Sequence, residues 1–402
     1  YKKDLFNAST IARWAGHLQT LLASICAHPD RRLSELEPLT TIEVVVAEPV
    51  SKKPPVKGMK SVKRKAIDLT LQNTVTTDYL VSGETFPLVV YPKMNGLDPI
   101  GWARGNQEFI QKKLLEHGAI LFRGFKVPAV SDFEEFALAS CPALFGEYGD
   151  LPREEVGGKV YGSTSYPSDQ AILPHNESSQ MHCWPLKIWF HCVKAALAGG
   201  ETPIIDCRKV YQALDPALRD KFARKGLMYV RNYVPGFDVT WQEFFRTNDR
   251  SAVEAHCRRV GLDFEWIGAN GLRTRKIGPA VAVHPKTGET VMFNQIQAHH
   301  VSCLEPSTRE ALLSLFEKED LPRNVYYGDG SVIEDSVVDE LREIYQKLAV
   351  TFPWQEGDIL MLDNMLSAHG RNPYTGPRKI LVTMGEMFAA EDLQSEVAMQ
   401  FA

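Results

Sequence analysis

Residues 357–385 read GDILMLDNMLSAHGRNPYTGPRKILVTMG, two short apolar runs separated by a polar stretch rich in Gly, Asn and Pro. Such runs, bounded by turn-forming residues, have the length and edges of strands rather than helices. The pattern recurs upstream in KIWFHCV (187–193) and VMFNQI (291–296). Helices are expected near 208–225, 250–260, 305–318 and 335–349, but they do not alternate regularly with the strands. The expected fold class is therefore mainly β with helical insertions (α+β), an antiparallel double-sheet barrel rather than a doubly wound parallel sheet. The Rossmann alternative also lacks its glycine fingerprint: neither G-x-G-x-x-G nor G-x-x-x-x-G-K-[ST] occurs.

Towards the N-terminus, a helical pattern from about Asn106 to Glu116 ends at Gly118 and enters AILFRGF, an apolar strand closed by a glycine turn. Ser131 stands three residues before Glu134, the spacing of a capping box that starts a helix running to about Cys141. Farther out, Ile11, Trp14, Leu18, Leu21, Leu22 and Ile25 make one apolar stripe on a helix that must dock on something. The stretch EPVSKKPPVKGMKSVK (48–63) reads as a linker without a core. The expected organisation is an N-terminal strand-helix appendage over 1–36, a linker over 37–61 and a main domain over 62–402. The opening residues YKKDLF resemble the middle of a folded domain, so the chain is expected to be a piece of something longer.

Composition narrows the partners. Forty-five Lys and Arg against 50 Asp and Glu give a net charge of -5, ordinary for a soluble protein, and no segment approaches the roughly 18 uninterrupted apolar residues of a membrane span. Neither nucleic acid nor a membrane is an expected partner. The seven cysteines are scattered and never form C-x-x-C, which argues against a disulfide framework or structural zinc site and fits a reducing cytoplasm.

The chemistry sits in a few residues. Two imidazoles and one carboxylate on one face of an octahedron hold Fe(II) while leaving positions open for a co-substrate and oxygen. In ILPHNES, His175 and Glu177 lie two apart, so in an extended segment both side chains leave one face. His369, just past GDILMLDN, is the candidate for the second imidazole. Nine residues on, Arg378 could make a bidentate pair with the distal carboxylate of 2-oxoglutarate, and Thr202 offers it a hydroxyl. Each has a plainer reading: a stray ion pair at 175/177, a strand-edge pair at Arg378, a turn residue at Thr202. Asn294 and Arg371 are candidate substrate contacts, with Arg123, Arg153 and Lys379 further possible anchors for an acidic group. His299 and His300 are rival metal ligands, but no arginine-bearing strand follows them.

The order H-x-E (175–177), GGET (199–202) and LDN-x4-H-x8-R (362–378) resembles the TauD/TfdA superfamily. The flanking text YGDLPRE (148–154), VYGSTSYPSDQAILPHNESS (160–179), LPRNVYYGDGS (321–331) and AHGRNPYTGPRKI (368–380) is similar to its SyrP-like branch. The similarity runs from about Val62 to Asp392. It implies a double-stranded β-helix (jelly roll); Fe(II), 2-oxoglutarate and molecular oxygen as requirements; and hydroxylation, at the β-carbon, of an amino acid used in non-ribosomal peptide synthesis. It also implies that His175, Glu177 and His369 hold the metal and Thr202 and Arg378 the co-substrate. Related halogenases replace the carboxylate ligand with a small residue; Glu177 is present here, which favours a hydroxylated product. Desaturation and cyclisation remain open alternatives.

Residues 1–40 resemble the closing strand and helix of a non-ribosomal peptide synthetase condensation domain, the alternative being a helical cap on the main domain. The remnant reading implies an aminoacyl carrier-protein domain and neighbouring synthetase domains as partners. Two further function classes stand beside this one: a dioxygenase acting on a free small amino acid or sulfonate, and a non-catalytic docking module between synthetase domains.

Overall fold

The longest apolar runs pair with one another. Cys183–Lys194 lies between Ile359–Asp363 and Lys379–Ala389, antiparallel to both, in the middle of an eight-stranded sheet. Val75–Tyr79, Leu88–Pro92 and Ala119–Phe122 extend it on one side, Val160–Gly162 and Glu155–Gly157 on the other. Side chains alternate across it. Trp189, Met361 and Leu381 enter a core shared with the helices Pro99–Gly105, Gln107–His117 and Val130–Ser140. Ile188, Phe190, Leu360 and Val382 instead pack with Ile204 of a three-stranded sheet. Because both faces are covered, these strands are apolar at nearly every position, and Ile359–Asp363 is buried throughout. Burying each Leu or Ile of this run contributes about 1.5–3 kcal/mol.

This architecture is seen in a computed structural model that describes residues 74–81, 83–145, 155–163 and 166–393. By spatial proximity the chain divides between Ala66 and Ile67, and every described residue belongs to the second unit. The expected N-terminal helix, the linker and the condensation-like segment lie outside the described residues, as does Arg153. Among the described residues no helix is long and apolar enough to cross a membrane.

The three-stranded sheet positions the site. Its central strand, Ser367–Arg371, has Ile172–His175 on one side and Ile204–Asp206 on the other, both antiparallel. Between Asp206 and Ile359 the chain builds a large insertion that includes the four-stranded sheet Asp263–Ile267, Gly271–Gly278, Leu227–Asn232, Arg323–Tyr327. Its two ends meet: Ile204 and Val350 exchange backbone hydrogen bonds of 3.0 and 2.9 Å.

The mixed strand-and-helix reading holds, with local corrections. The single helix expected over 208–225 is two, Cys207–Ala213 and Pro216–Lys225, because Pro216 can begin a helix but has no N–H with which to continue one. The expected capping box shifts: the helix starts at Val130, Ser131 lies inside its first turn, and the Asp132 carboxylate accepts from Ala129 N at 3.1 Å. Gly118 stops its helix at φ 77° as expected. VMFNQI leaves the strand after Met292 and is helical from Ile296. Leu88–Pro92 and Ala119–Phe122 run parallel, joined through two short helices in a β-α-β crossover that the irregular alternation of the sequence did not suggest.

Candidate metal centre and its cavity

His175 ends its strand opposite His369 on the central strand, and the two rings stand 4.6 Å apart, centre to centre. That close pairing needs Gly370: a Cβ there would lie 2.5 Å from the Ile172 carbonyl oxygen. Glu177 does not continue the strand. The chain turns at Glu177, with Ser178 at φ 58°, so the expected extended H-x-E holds only as far as His175. Even so, Glu177 Oε2 lies 4.0 Å from His175 Nε2 and 3.8 Å from His369 Nε2. Among the described residues this is the one group of three such side chains whose donor atoms all lie within 4.8 Å of one another.

The donor set fits a divalent ion. Bonds of about 2.1 Å place neighbouring donors about 3 to 4 Å apart. His175 Nδ1 lies 2.9 Å from the Leu173 carbonyl; donating there, it carries the proton and leaves the Nε2 lone pair facing the group. Phe190 packs its ring 5.1 Å from that of His369, an apolar floor beside the donors.

The turn is held from behind by buried amides. Asn176 Nδ2 donates to the Asn364 carbonyl at 2.7 Å, Asn176 Oδ1 accepts from Asn294 N at 3.2 Å, and Gln295 Nε2 donates to Asn176 O at 3.0 Å. Asn364 in turn bonds the backbone of Glu177.

The donors open into a cavity of about 750 Å³ also lined by Thr202, Arg378 and Gln295. Thr202 Oγ1 accepts from Trp354 Nε1 at 3.2 Å, so its own O–H is left to donate. Arg378 donates from Nε to the Gly200 carbonyl at 2.9 Å, and no carboxylate among the described residues pairs with it. Burial first, and then the nearby Arg371, push its guanidinium down to about 10. A half-buried cation beside a hydroxyl donor suits an anionic ligand.

The other expected contacts fall in different places. Asn294 is buried behind the ligand turn, donating from Nδ2 to the Tyr345 hydroxyl and accepting from Ile296 N; its neighbour Gln295 faces the cavity. Arg371 borders the cavity, but it donates to the carbonyls of Tyr166, Pro167 and Gln170 at 3.0, 2.5 and 2.6 Å, pinning a loop that forms part of the wall. Arg123 is committed to Asp358, and Lys379 is exposed. His300 is buried with its Nδ1 on Ser302. His299 lines the cavity, its Nδ1 3.1 Å from the Gln295 carbonyl, and belongs to no donor group among the described residues. Sequence reasoning missed Asn176, Asn364 and Gln295; their signal was polar amides set directly against apolar runs and candidate ligands.

A family model described as "Taurine catabolism dioxygenase TauD, TfdA family" matches residues 87–384. The dapdiamide synthesis protein DdaC of Enterobacter agglomerans is 38% identical over 276 residues, covering 68% of this chain and 84% of that protein. A clavaminate synthase-like protein of Arabidopsis thaliana is 29% identical over 293 residues, covering 69% and 84%. Among solved structures, PvcB of Pseudomonas aeruginosa is 15% identical with a TM-score of 0.47, covering 77% of this chain and 90% of its own. A putative alpha-ketoglutarate-dependent taurine dioxygenase of Burkholderia xenovorans is 16% identical with a TM-score of 0.43, covering 79% and 98%. At those scores the structural likeness carries no weight.

Proposed function

The chain belongs to the TauD/TfdA family, whose dioxygenases use Fe(II), 2-oxoglutarate and molecular oxygen, and from that premise we propose that it hydroxylates an amino acid held on a carrier protein. His175, Glu177 and His369 hold the iron; the mutual approach of their donor atoms to within 4.8 Å is the observation that carries this. Thr202 and Arg378 bind the far carboxylate of 2-oxoglutarate. The fold this implies is a double-stranded β-helix, with the eight- and three-stranded sheets as its two layers.

When bound, the iron supplies oxygen activation coupled to decarboxylation of 2-oxoglutarate. In the overall reaction, one oxygen atom of O2 enters a substrate C–H bond and the other enters succinate as CO2 leaves. The chain's own residues do the placing. Glu177 brings one negative charge to the ion, and the His175 bond to Leu173 fixes which nitrogen faces it. Arg378 orients the co-substrate, and Phe190 and Ile380 keep water from the reacting end.

A cavity of about 750 Å³ lies in the upper range for sites that take drug-sized ligands, room for 2-oxoglutarate and an amino acid side by side. A biosynthetic setting is supported by the relative named for dapdiamide synthesis. The six described cysteines are free thiols, in keeping with a reducing cytoplasm. The test pairs two measurements. Fe(II)-dependent succinate release should be abolished in Glu177→Ala, because the ion that activates oxygen loses a ligand; unchanged turnover would defeat the metal assignment. Intact-mass analysis of carrier domains loaded with single amino acids should show the gain of one oxygen atom, and turnover of the free acid alone would remove the carrier.

A further inference from the structure

We propose that Asn364 is a positioning residue for Glu177, its side-chain amide bonding the backbone of the ligand turn as a neighbouring strand would. The inference rests on Glu177 being a metal ligand. His175 is the last residue of its strand, and Glu177 lies in the turn beyond it. Asn364 reaches its backbone there. Its Oδ1 accepts from Glu177 N at 2.8 Å, and its Nδ2 donates to Glu177 O at 2.9 Å and to Pro185 O at 2.9 Å. The reciprocal pair reproduces what an antiparallel neighbour offers one residue.

Only an amide can do this. The oxygen meets an N–H and the nitrogen meets two carbonyls, in a side chain with no solvent exposure; a carboxylate would set an oxygen against both carbonyls with no water to relieve it. The turn that carries Asn364 is itself fixed. Asp363 Oδ1 accepts from Met365 N and Leu366 N at 3.0 and 3.1 Å, Asp363 Oδ2 pairs with His284 at 3.1 Å, and Asn364 N donates to Leu186 O at 2.9 Å. The same turn leads directly into the strand that bears His369. Asn364 therefore ties the carboxylate ligand to the imidazole ligand, and sets the 3.8 Å between them.

The experiment is a double-mutant cycle read as Fe(II) affinity, by anaerobic calorimetry on wild type, Asn364→Asp, Glu177→Asp and the double variant. Asn364→Asp alone should weaken iron binding about 10- to 100-fold, the range for residues that orient metal ligands. In the Glu177→Asp background, where the carboxylate is already displaced, it should add less than about threefold, because the two act through one group. Wild-type affinity in Asn364→Asp, or losses that simply multiply, would overturn the proposal in favour of a general packing role. Absence of iron binding by wild type would instead overturn the ligand assignment, and this inference with it. Asn364→Ser, which buries no charge, carries the same cycle where the aspartate variant does not fold.

Discussion

The part of the cavity that bears His175, Glu177 and His369 is backed by buried amides and a clamped loop, whereas the part running from Leu304 to Phe316 contains no buried residue at all. Both line the same space, since Leu304, Glu305 and Thr308 face it along with the donors. Yet Leu315 is 62% exposed while Asn364 is wholly enclosed. The contrast follows from what each must do. Iron imposes one geometry whatever the substrate, and the turn bearing Glu177 is held accordingly, by the Asn364 amide on its backbone and by the bonds to Asn176. Segment 304–316 is tied by Arg309 to Asp335 and by Phe316 against Phe237, and regions with so few enclosed apolar contacts open at low cost.

Four perturbations would sharpen or break this contrast. The largest effect is expected at the co-substrate end: Arg378→Met should raise the 2-oxoglutarate concentration for half-maximal turnover about 100-fold, the scale of a lost charge-assisted pair, while calorimetric Fe(II) affinity stays put. Arg371→Met releases three carbonyls from the pinned loop and should cost about 2–3 kcal/mol in urea unfolding; a change below about 0.5 kcal/mol would mean that the loop holds itself.

Acid should act on the other side. Asp238 takes bonds from Arg231 and Arg323 beside Phe237. Burial raises its pKa, but the two guanidinium groups outweigh burial and hold it at about 2 against an ordinary 3.8. Its folded value is the lower one, so its stabilisation is complete above about pH 4 and is lost as the pH falls towards 2. Wild type should lose about 2 kcal/mol more than Asp238→Asn across that window. The smallest change is expected from Leu315→Ser, under about 0.5 kcal/mol, together with hydrogen exchange at 306–315 far faster than at 367–371. Slow exchange at 306–315 would erase the distinction.

The donor triad was legible because chemistry restricts such donors to few residue types, and Gly118 because only glycine stops a helix so cheaply in the left-handed region. Arg371 lines the cavity as expected, but its bonds to three carbonyls were not legible: a guanidinium recognises a carboxylate and a cluster of carbonyls by the same donors, and sequence does not say which lies opposite. Asn294 was chosen where Gln295 faces the cavity, because the strand ends at Met292 and beyond it no alternation survives to assign faces. Asn364 stands in a motif whose histidine was recognised, but its role depends on which backbone lies behind the turn, and that is settled only by contacts between residues almost two hundred positions apart. The parallel pair near the start of the described chain was hidden because its crossover helices are short.

The insertion between Asp206 and Ile359 leaves and rejoins the framework at one point, where Ile204 and Val350 exchange their two bonds. Such a closed excursion costs little chain entropy to lengthen or shorten, so it could vary as a cassette. It is not a free one. Asn294 and Gln295, which brace Asn176, are carried by it, and so are Leu304 and Thr308 at the cavity. Grafting this excursion from a relative would therefore exchange part of the cavity wall and a piece of the donor turn's support in a single move, and a chimera cut without residues 294 and 295 should bind its metal more weakly even with His175, Glu177 and His369 intact.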